Sequence, residues 1–509
     1  MRNRATAARS AAQSGMTMML AVGVQALLAL SVDGQPVRFG VPLPAAAVAQ
    51  GLRLNGPGAL QWRRLPVGTL ESDPVWVEIA IVGARGQVRI AAGGQPPVQD
   101  QRGAAFVHEV EEERSPAGEL RVRRWRWSDG HIDECQRTQF SKSTTIGGET
   151  YLAGEARTVW NGERAVRVEP VVHLPRRFWD QGGVLPAGGR IGEAVRKQLA
   201  AVRGKLVEMP GVRGAGDFER SQGVVTNLEY DTTLGLLRCA FVLGDSGALS
   251  QALRCASHLC DRDFDQRSGL PFTHGPDHRT GMPAPGHAWL QGLLLAGLVA
   301  ADDDLIAAAR AIGRGLASHP PTGSEQYEVA RDYAWPLLEL EALLAIDPAR
   351  DLAAAADRLA VSIDRRFDPV ARTYRFGEGE LGGGVYLERG WITGGLVIPA
   401  MARHLQRCPD SLMAERLRLA RQGLKDQIGL LGGGIPTHWR TAGGQTYAVH
   451  RAQRDATAML LLDGLEPADL RRLSRRASFR SAVEEVPLPD DPDLPTTFSM
   501  VARANWVWN

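Results

Sequence analysis

The chain changes its hydrophobic rhythm near residue 205. Before that point apolar and polar residues alternate over short runs; beyond it apolar residues recur at helical spacing. VWVEIAIV (75–82) alternates and then runs apolar, which predicts a half-buried to buried strand. VRIAA, between glycine turns in 83–94, predicts another, and LRVRRWRW (120–127) alternates cleanly. Residues 158–173 alternate on both sides of Asn161–Gly162, a dipeptide suited to a hairpin turn. QPVRFGVPLP (35–44) is an extended segment punctuated by proline. These runs predict β-barrel or β-sandwich units with a joint in the polar, Gly- and Pro-rich 95–103.

Beyond Thr226, helix-spaced apolar residues predict helices over 232–243, 247–260, 288–300, 304–316, 332–344, 349–365, 392–405 and 411–427. Thr232 and Asp304 are the expected N-caps of two of them. Gly- and Pro-rich stretches at 268–285, 319–324, 377–384 and 430–444 are expected loops. Helix pairs with alternating long and short connections predict an (α/α) toroid. An inner ring of helices would then surround a cleft, with the long loops on one rim. No exact repeat supports this, so it rests on element order. The predicted fold class is multidomain α+β: N-terminal β-barrel and β-sandwich units followed by an (α/α) toroid. The expected divisions are a leader at 1–31, a barrel at 32–103, a sandwich at 104–205, the toroid at 206–483 and an acidic, proline-rich tail at 484–509.

Composition narrows the function classes. At 44% hydrophobic and 23% charged residues the chain is ordinary globular protein. Its 59 Lys and Arg against 57 Asp and Glu give a net charge of +2, which argues against a dominant nucleic-acid surface. Cys135, Cys239, Cys255, Cys260 and Cys408 are odd in number and contain no CxxC pair, so they form no disulfide framework. Cys239, Cys255 and Cys260 lie in apolar helical stretches and are expected as buried thiols. Arg2, Arg4 and Arg9, then an apolar run over 16–32 with small residues at Ala29 and Ser31, fit an export signal. The expected location is secreted or periplasmic, with no stable membrane span after signal removal. No P-loop is present, and GEGELGGG and LLGGG lack a phosphate-binding context.

Polar and aromatic residues interrupt the helical stretches in a few places. TNLEYDTTLGLL carries Asn227, Glu229, Tyr230 and Asp231. FTHGPDHRTGMPAPGHAW carries His274, Asp277, His278, Arg279, His287 and Trp289, three of the chain's 11 histidines. EQYEVARDYAWPLLELE carries Tyr327, Arg331, Asp332, Tyr333 and Trp335; YLERGWITGGLVIPA carries Tyr386, Glu388, Arg389 and Trp391. IPTHWR adds His438, Trp439 and Arg440. Loops carried on a rigid scaffold are where binding and catalysis concentrate.

GDFERSQGVVTNLEYDTTLGLLRCAFVLGD, with FTHGPDH and GHAWLQGLLLAGLVAADD, resembles the exo-rhamnogalacturonan lyase (YetA-like) family. QPVRFGVPLP is similar to the start of that family's barrel. The resemblance runs from Gln35 onward and is denser in the helical half; the family's usual W-x-DGS segment has no counterpart at WRRLPVGTLESDPVW. It implies a RIFT-like β-barrel, a central β-sandwich and a catalytic (α/α) toroid. It also implies a polysaccharide lyase that cleaves rhamnogalacturonan or pectin-like, uronate-containing glycans by β-elimination.

That reaction accounts for the residue types. Removing the C5 proton beside a carboxylate needs something to neutralise that carboxylate and hold the developing enolate. A base takes the proton and an acid protonates the departing oxygen. Asn227 is the amide candidate; His274, His278 or His287 the base; Tyr230, Tyr327 or Tyr333 the acid. Arg331 and Arg389 are candidate carboxylate forks, and Trp289 and Trp391 candidate sugar platforms. The expected catalytic set is Asn227, Tyr230, His274, His278 and Arg331. The expected substrate-binding set is Glu229, His287, Trp289, Tyr333, Arg389 and Trp391.

Plainer readings stand beside these. Asn227 suits a helix cap, Tyr230 and the tryptophans suit core, and Arg331–Asp332 suits an ion pair. His258 and His404 sit on regular helices and read as surface or satisfied core groups. His274, Asp277, His278 and His287 are close in sequence, but Gly and Pro break any i,i+4 ligand geometry. No cofactor or metal is predicted, although a divalent cation such as calcium is compatible with a uronate substrate. A glycoside hydrolase would draw paired carboxylates from Glu229, Asp231, Asp277 and Asp332. A non-catalytic glycan binder would need only the tryptophans.

Overall fold

The computed structural model describes residues 27–33, 37–68, 73–82, 84–94, 107–114, 120–128, 133–139, 143–146, 149–152, 155–161, 164–166, 193–207, 216–221, 224–228, 230–261, 263–265, 267–272, 283–321, 330–376, 380–382, 385–430, 435–442, 445–452, 464–466, 468–469 and 498. For several of these the backbone alone is described, including the strands between 107 and 166, residues 219–227, 380–389, 391 and 427–452.

Where a barrel is expected, two three-stranded antiparallel sheets form. β1 (Leu28–Asp33) and β3 (Leu52–Asn55) flank β6 (Arg85–Ala92); β2 (Val37–Leu43) and β4 (Ala59–Arg64) flank β5 (Val75–Val82). Alternation drives both: Leu28, Leu30, Val88 and Ile90 from one sheet, and Phe39, Val41, Val77 and Ile79 from the other, are buried in one core. The leader boundary expected at residue 31 falls inside β1, which pairs with β6 along its whole length.

The next region is a five-stranded antiparallel sheet. Its strands are β7 (Val107–Arg114), β8 (Leu120–Ser128), β9 (Asp133–Gln139), β12 (Glu155–Asn161) and β13 (Arg164–Val166), in the order β13-β12-β9-β8-β7. β10 (Ser143–Ile146) and β11 (Glu149–Leu152) pair separately. Asn161 is itself paired, with Arg164, so the hairpin connection begins one residue later than the Asn–Gly signal suggests. A helix that the periodicity does not predict, α2 (Glu193–Lys205; α1 is the short Ala45–Ala49), follows. It leads into β14 (Leu206–Val207), β15 (Asp217–Ser221) and β16 (Val224–Asn227).

Eight helices of the second half form four consecutive hairpins among the described residues. They are α3 (Thr232–Leu243) with α4 (Ser246–Asp261), α5 (Gln291–Ala300) with α6 (Asp303–Ser318), α7 (Ala330–Leu344) with α8 (Arg350–Asp364), and α9 (Ile398–Arg407) with α10 (Ser411–Leu430). The first members also pack on one another in succession: α3 on α5, α5 on α7, α7 on α9. The reason is in the sequence. GLLLAGLV of α5 and LGLLRCAF of α3 are apolar all round and almost wholly buried, whereas α6 and α8 keep a polar face. An inner row backed by an outer row is the α/α arrangement that the loop pattern predicts. A π-helical turn at Thr393–Val397 precedes α9.

Two expectations change here. The expected loops at 377–384 and 430–444 contribute to a four-stranded sheet: β21 (Glu380–Gly382), β22 (Val385–Arg389), β23 (Ile435–Ala442) and β24 (Gln445–Ala452), after the short hairpins β17–β18 (Phe264–Asp265, Leu270–Pro271) and β19–β20 (Phe367–Asp368, Thr373–Tyr374). The N-caps are Asp231 and Asp302, not Thr232 and Asp304; each carboxylate accepts backbone N–H groups of the first turn. Cys239 and Cys255 are buried as expected, and burial pushes the Cys239 thiol up to about 12; Cys260 is half-buried and Cys408 exposed. Among the described residues no helix is long and apolar enough to cross a membrane.

The first sheets dock on the helices through a buried charge network. Arg38 Nε donates to Glu78 at 2.7 Å, Arg63 Nε donates to the other Glu78 oxygen, and Arg63 Nη2 reaches Asp303 at 3.1 Å. Arg38 Nη2 donates to the Ala301 carbonyl at 3.1 Å. Burial pushes the Asp303 carboxyl up, against the opposing pull of Arg63 and Arg38. Between these charges the backbones nearly touch: a Cβ at Gly40 would fall 1.6 Å from the Leu298 carbonyl oxygen. The glycine of GVPLP is therefore a docking residue. Gly40→Ala is expected to cost roughly 1–3 kcal/mol, since two backbones must separate; a thermal melt in which it matches the parent protein would refute this.

Candidate active site

The entrance to α3 carries two consecutive non-glycine residues in the left-handed region, Tyr230 (φ 57°) and Asp231 (φ 60°). Such a pair is costly and needs compensation from its surroundings. Asp231 provides it. One carboxylate oxygen accepts from Leu234 N at 3.0 Å, and the other from Gly292 N at 2.8 Å. One side chain thus ties the N-terminal turns of α3 and α5 together, where helix dipoles favour a carboxylate. Gly292 is required for this contact, because a Cβ there would stand 2.1 Å from Asp231 Oδ1. Asp231→Ala removes a cap and leaves a buried N–H without its acceptor. It should lower stability by about 2 kcal/mol, measured by urea unfolding.

Tyr230, turned inward by this bend, stacks on Trp289 with ring centroids 5.7 Å apart and planes 29° apart. Trp289 meets Trp335 edge-on at 4.8 Å, and His287 meets Trp289 edge-on at 5.9 Å. The aromatic groups are nearly closed off: Tyr230 is 4% exposed, Trp289 6% and Trp335 0%. His287, in the 3-10 turn Pro285–His287, lies with Nε2 2.7 Å from Arg331 Nη2 in the first turn of α7. A guanidinium can only donate, so this contact makes Nε2 an acceptor and puts the ring proton on Nδ1. Gly286 lets α7 approach, for a Cβ there would be 2.0 Å from Asp332 Oδ1. Tyr333 is 4% exposed, with its hydroxyl accepting from Arg366 at 3.1 Å and the Arg366 guanidinium 4.5 Å above its ring.

A cleft opens beside this cluster. Trp289, Leu228, Asp231, Thr232, Thr233, Gly216, Cys255, Leu259, Asp263, Pro271 and Phe272 line it. Phe272 bridges to Pro283, and Ala284 N donates to the Pro271 carbonyl at 3.1 Å. Phe272 and Pro283, the described residues on either side of 273–282, are thus joined to each other beside the cleft. Behind Gly216 lies a group that the sequence reads as surface or satisfied core: His258, fully buried, with Nε2 3.2 Å from Asp217 Oδ2 and 3.5 Å from Asp263 Oδ1. Its two partners sit in GDFER and CDRDFD, acidic signals that carried no weight without a contact to join them. His404 is a satisfied core group, with Nδ1 2.7 Å from Glu341.

The structure thus brings together Tyr230, His287, Trp289 and Arg331 of the expected set, with Tyr333 on the same inner helix as Arg331. Glu229, His274, Asp277, His278 and Tyr327 lie outside the described residues, and of Asn227, Arg389 and Trp391 only the backbone is described. Asn227 is opposite Asp217 in the β15–β16 register. Arg389 is opposite His438, which is opposite His450.

No protein-family model matches the sequence and no curated protein is similar to it. Among solved structures, the fold is similar to a family 76 glycoside hydrolase from a bovine Bacteroides thetaiotaomicron strain. That match has 8% identity and a TM-score of 0.42, over 94% of this chain and 98% of that one. It is also similar to a cellobiose 2-epimerase from Bacillus thermoamylovorans B4167 (11% identity, TM-score 0.41, 57% of this chain and 85% of that one). A polysaccharide lyase matches with 14% identity and a TM-score of 0.38, over 54% of this chain and 90% of that one. These neighbours are carbohydrate-active enzymes by name, at values too low to carry an activity to this chain.

Proposed function

We propose that the protein is a carbohydrate-processing enzyme that cleaves uronate-containing, rhamnogalacturonan- or pectin-like glycans by β-elimination. The observation that carries this reading is the 2.7 Å contact between Arg331 and His287 Nε2. In a uronate the carboxylate and the C5 proton are on neighbouring carbons. The group that neutralises one and the base that takes the other must therefore be neighbours too. Arg331 supplies the fork for the carboxylate, and a uronate that draws the guanidinium to itself would release the His287 Nε2 lone pair to act as the base. In the proposed step the base takes the C5 proton, the C–H pair becomes the C4–C5 double bond, and the C4–O bond breaks. An acid then protonates the leaving oxygen. Tyr230, His274 and His278 are the candidates for that acid, and Asn227 for a second donor to the enolate.

Hydrolysis through paired carboxylates is the rival. Of its candidate acids Asp231 is committed to two backbone N–H groups, which favours elimination. Purified protein incubated with rhamnogalacturonan and pectin should raise the ultraviolet absorbance as unsaturated uronate accumulates. Reducing ends without that absorbance would replace elimination by hydrolysis, and neither signal would leave a glycan binder.

A further inference from the structure

We propose that Asp217, His258 and Asp263 bind a divalent transition-metal ion, zinc in the first place, in a buried site beside the cleft. The three side chains come from the start of β15, the last turn of α4 and the second residue beyond that helix. Their ligand atoms lie within 4.8 Å of one another. His258 and Asp217 are 0% exposed and Asp263 is 6% exposed.

The spacing of the ligand atoms is the main argument. Nε2 is a single nitrogen that can carry a single proton, yet it faces two carboxylate oxygens, at 3.2 and 3.5 Å. A charge-assisted N–H···O bond draws in to about 2.7–2.9 Å. Tetrahedral ligands at about 2.0–2.2 Å from a zinc ion stand about 3.4 Å apart. The observed separations match the edges of such a polyhedron. Charge agrees as well. Protonated His258 would offset one of the two carboxylates, whereas a divalent ion offsets both and keeps the imidazole neutral, as a ligand must be.

The surroundings hold the ligands in place. A Cβ at Gly216 would fall 2.7 Å from the His258 ring, so glycine lets the backbone lie against the imidazole. Phe272 N donates to the Asp263 carbonyl at 2.9 Å, which anchors Asp263 to the stem of the His274–His278 segment. Gly216 and Asp263 themselves line the cleft. The proposal does not depend on β-elimination, because binding is measured without substrate.

The test uses the full-length protein, dialysed against a chelator and titrated calorimetrically with zinc, manganese, cobalt and calcium. One zinc per chain is expected, with a raised melting temperature. His258→Gln and Asp263→Asn should each weaken binding at least about tenfold. Absence of binding by any of the four ions, or unchanged affinity in both variants, overturns the proposal. If the variants fail to fold, the cobalt spectrum of the parent protein decides. Visible bands of tetrahedral cobalt without thiolate charge transfer support Asp217, His258 and Asp263. A thiolate band places the ion elsewhere, such as the Asp357–His404–Cys408 group, and overturns it.

Discussion

Replacing Glu78 with glutamine should lower stability by roughly 3–5 kcal/mol, because it strands two buried arginines. Glu78 is at the centre of the β2-β5-β4 sheet, directly opposite Arg63 and diagonal to Arg38, whose neighbour Gly40 is its register partner. All three side chains are 3–4% exposed. Each arginine also reaches the helical half, at Ala301 and Asp303, so the carboxylate organises an interface as well as a sheet. A neutral amide keeps the shape and removes the countercharge. Urea unfolding with a constant slope would measure the loss directly. Glu415→Gln, at the exposed i,i+3 pair with Arg418, is the control and should leave the midpoint where it is. A Glu78 variant as stable as that control would mean that water or another group neutralises the arginines.

The inner helices were the most legible part of the fold, since GLLLAGLV and LGLLRCAF have no polar face to hide. α2 escaped because charged residues are spread through EAVRKQLAAVRGK, and only Leu199 and Val202 of its apolar residues are described as buried. The β23–β24 hairpin escaped because glycines beside it suggest loops, while pairing is decided by a partner strand elsewhere in the chain. The same distinction governs the site. NLEYD and GHAW announced themselves as polar and aromatic residues at helix starts. That Asp231 clamps Gly292, 61 residues later, is a tertiary fact with no local signature. His258 illustrates it most sharply: its helix leaves it as a surface or satisfied core group, and only the fold brings Asp217 and Asp263 to it. Tyr230 stacks on Trp289, which also lines the cleft, and neither contact has a local signature.

Arg331→Met should reduce kcat/KM on a free uronate substrate by about 10²–10³-fold, the scale for removing one donor aimed at developing charge. The loss should be smaller, below about tenfold, on the corresponding methyl ester. An ester has no carboxylate charge to neutralise, and its C5 proton is more acidic at the outset, so the guanidinium has less to contribute. This contrast separates catalysis from architecture. Arg331 also touches His287, and a purely structural role would misplace that ring for both substrates alike. Equal losses on acid and ester would therefore assign Arg331 to positioning His287. An ester-selective rescue would assign it to the carboxylate.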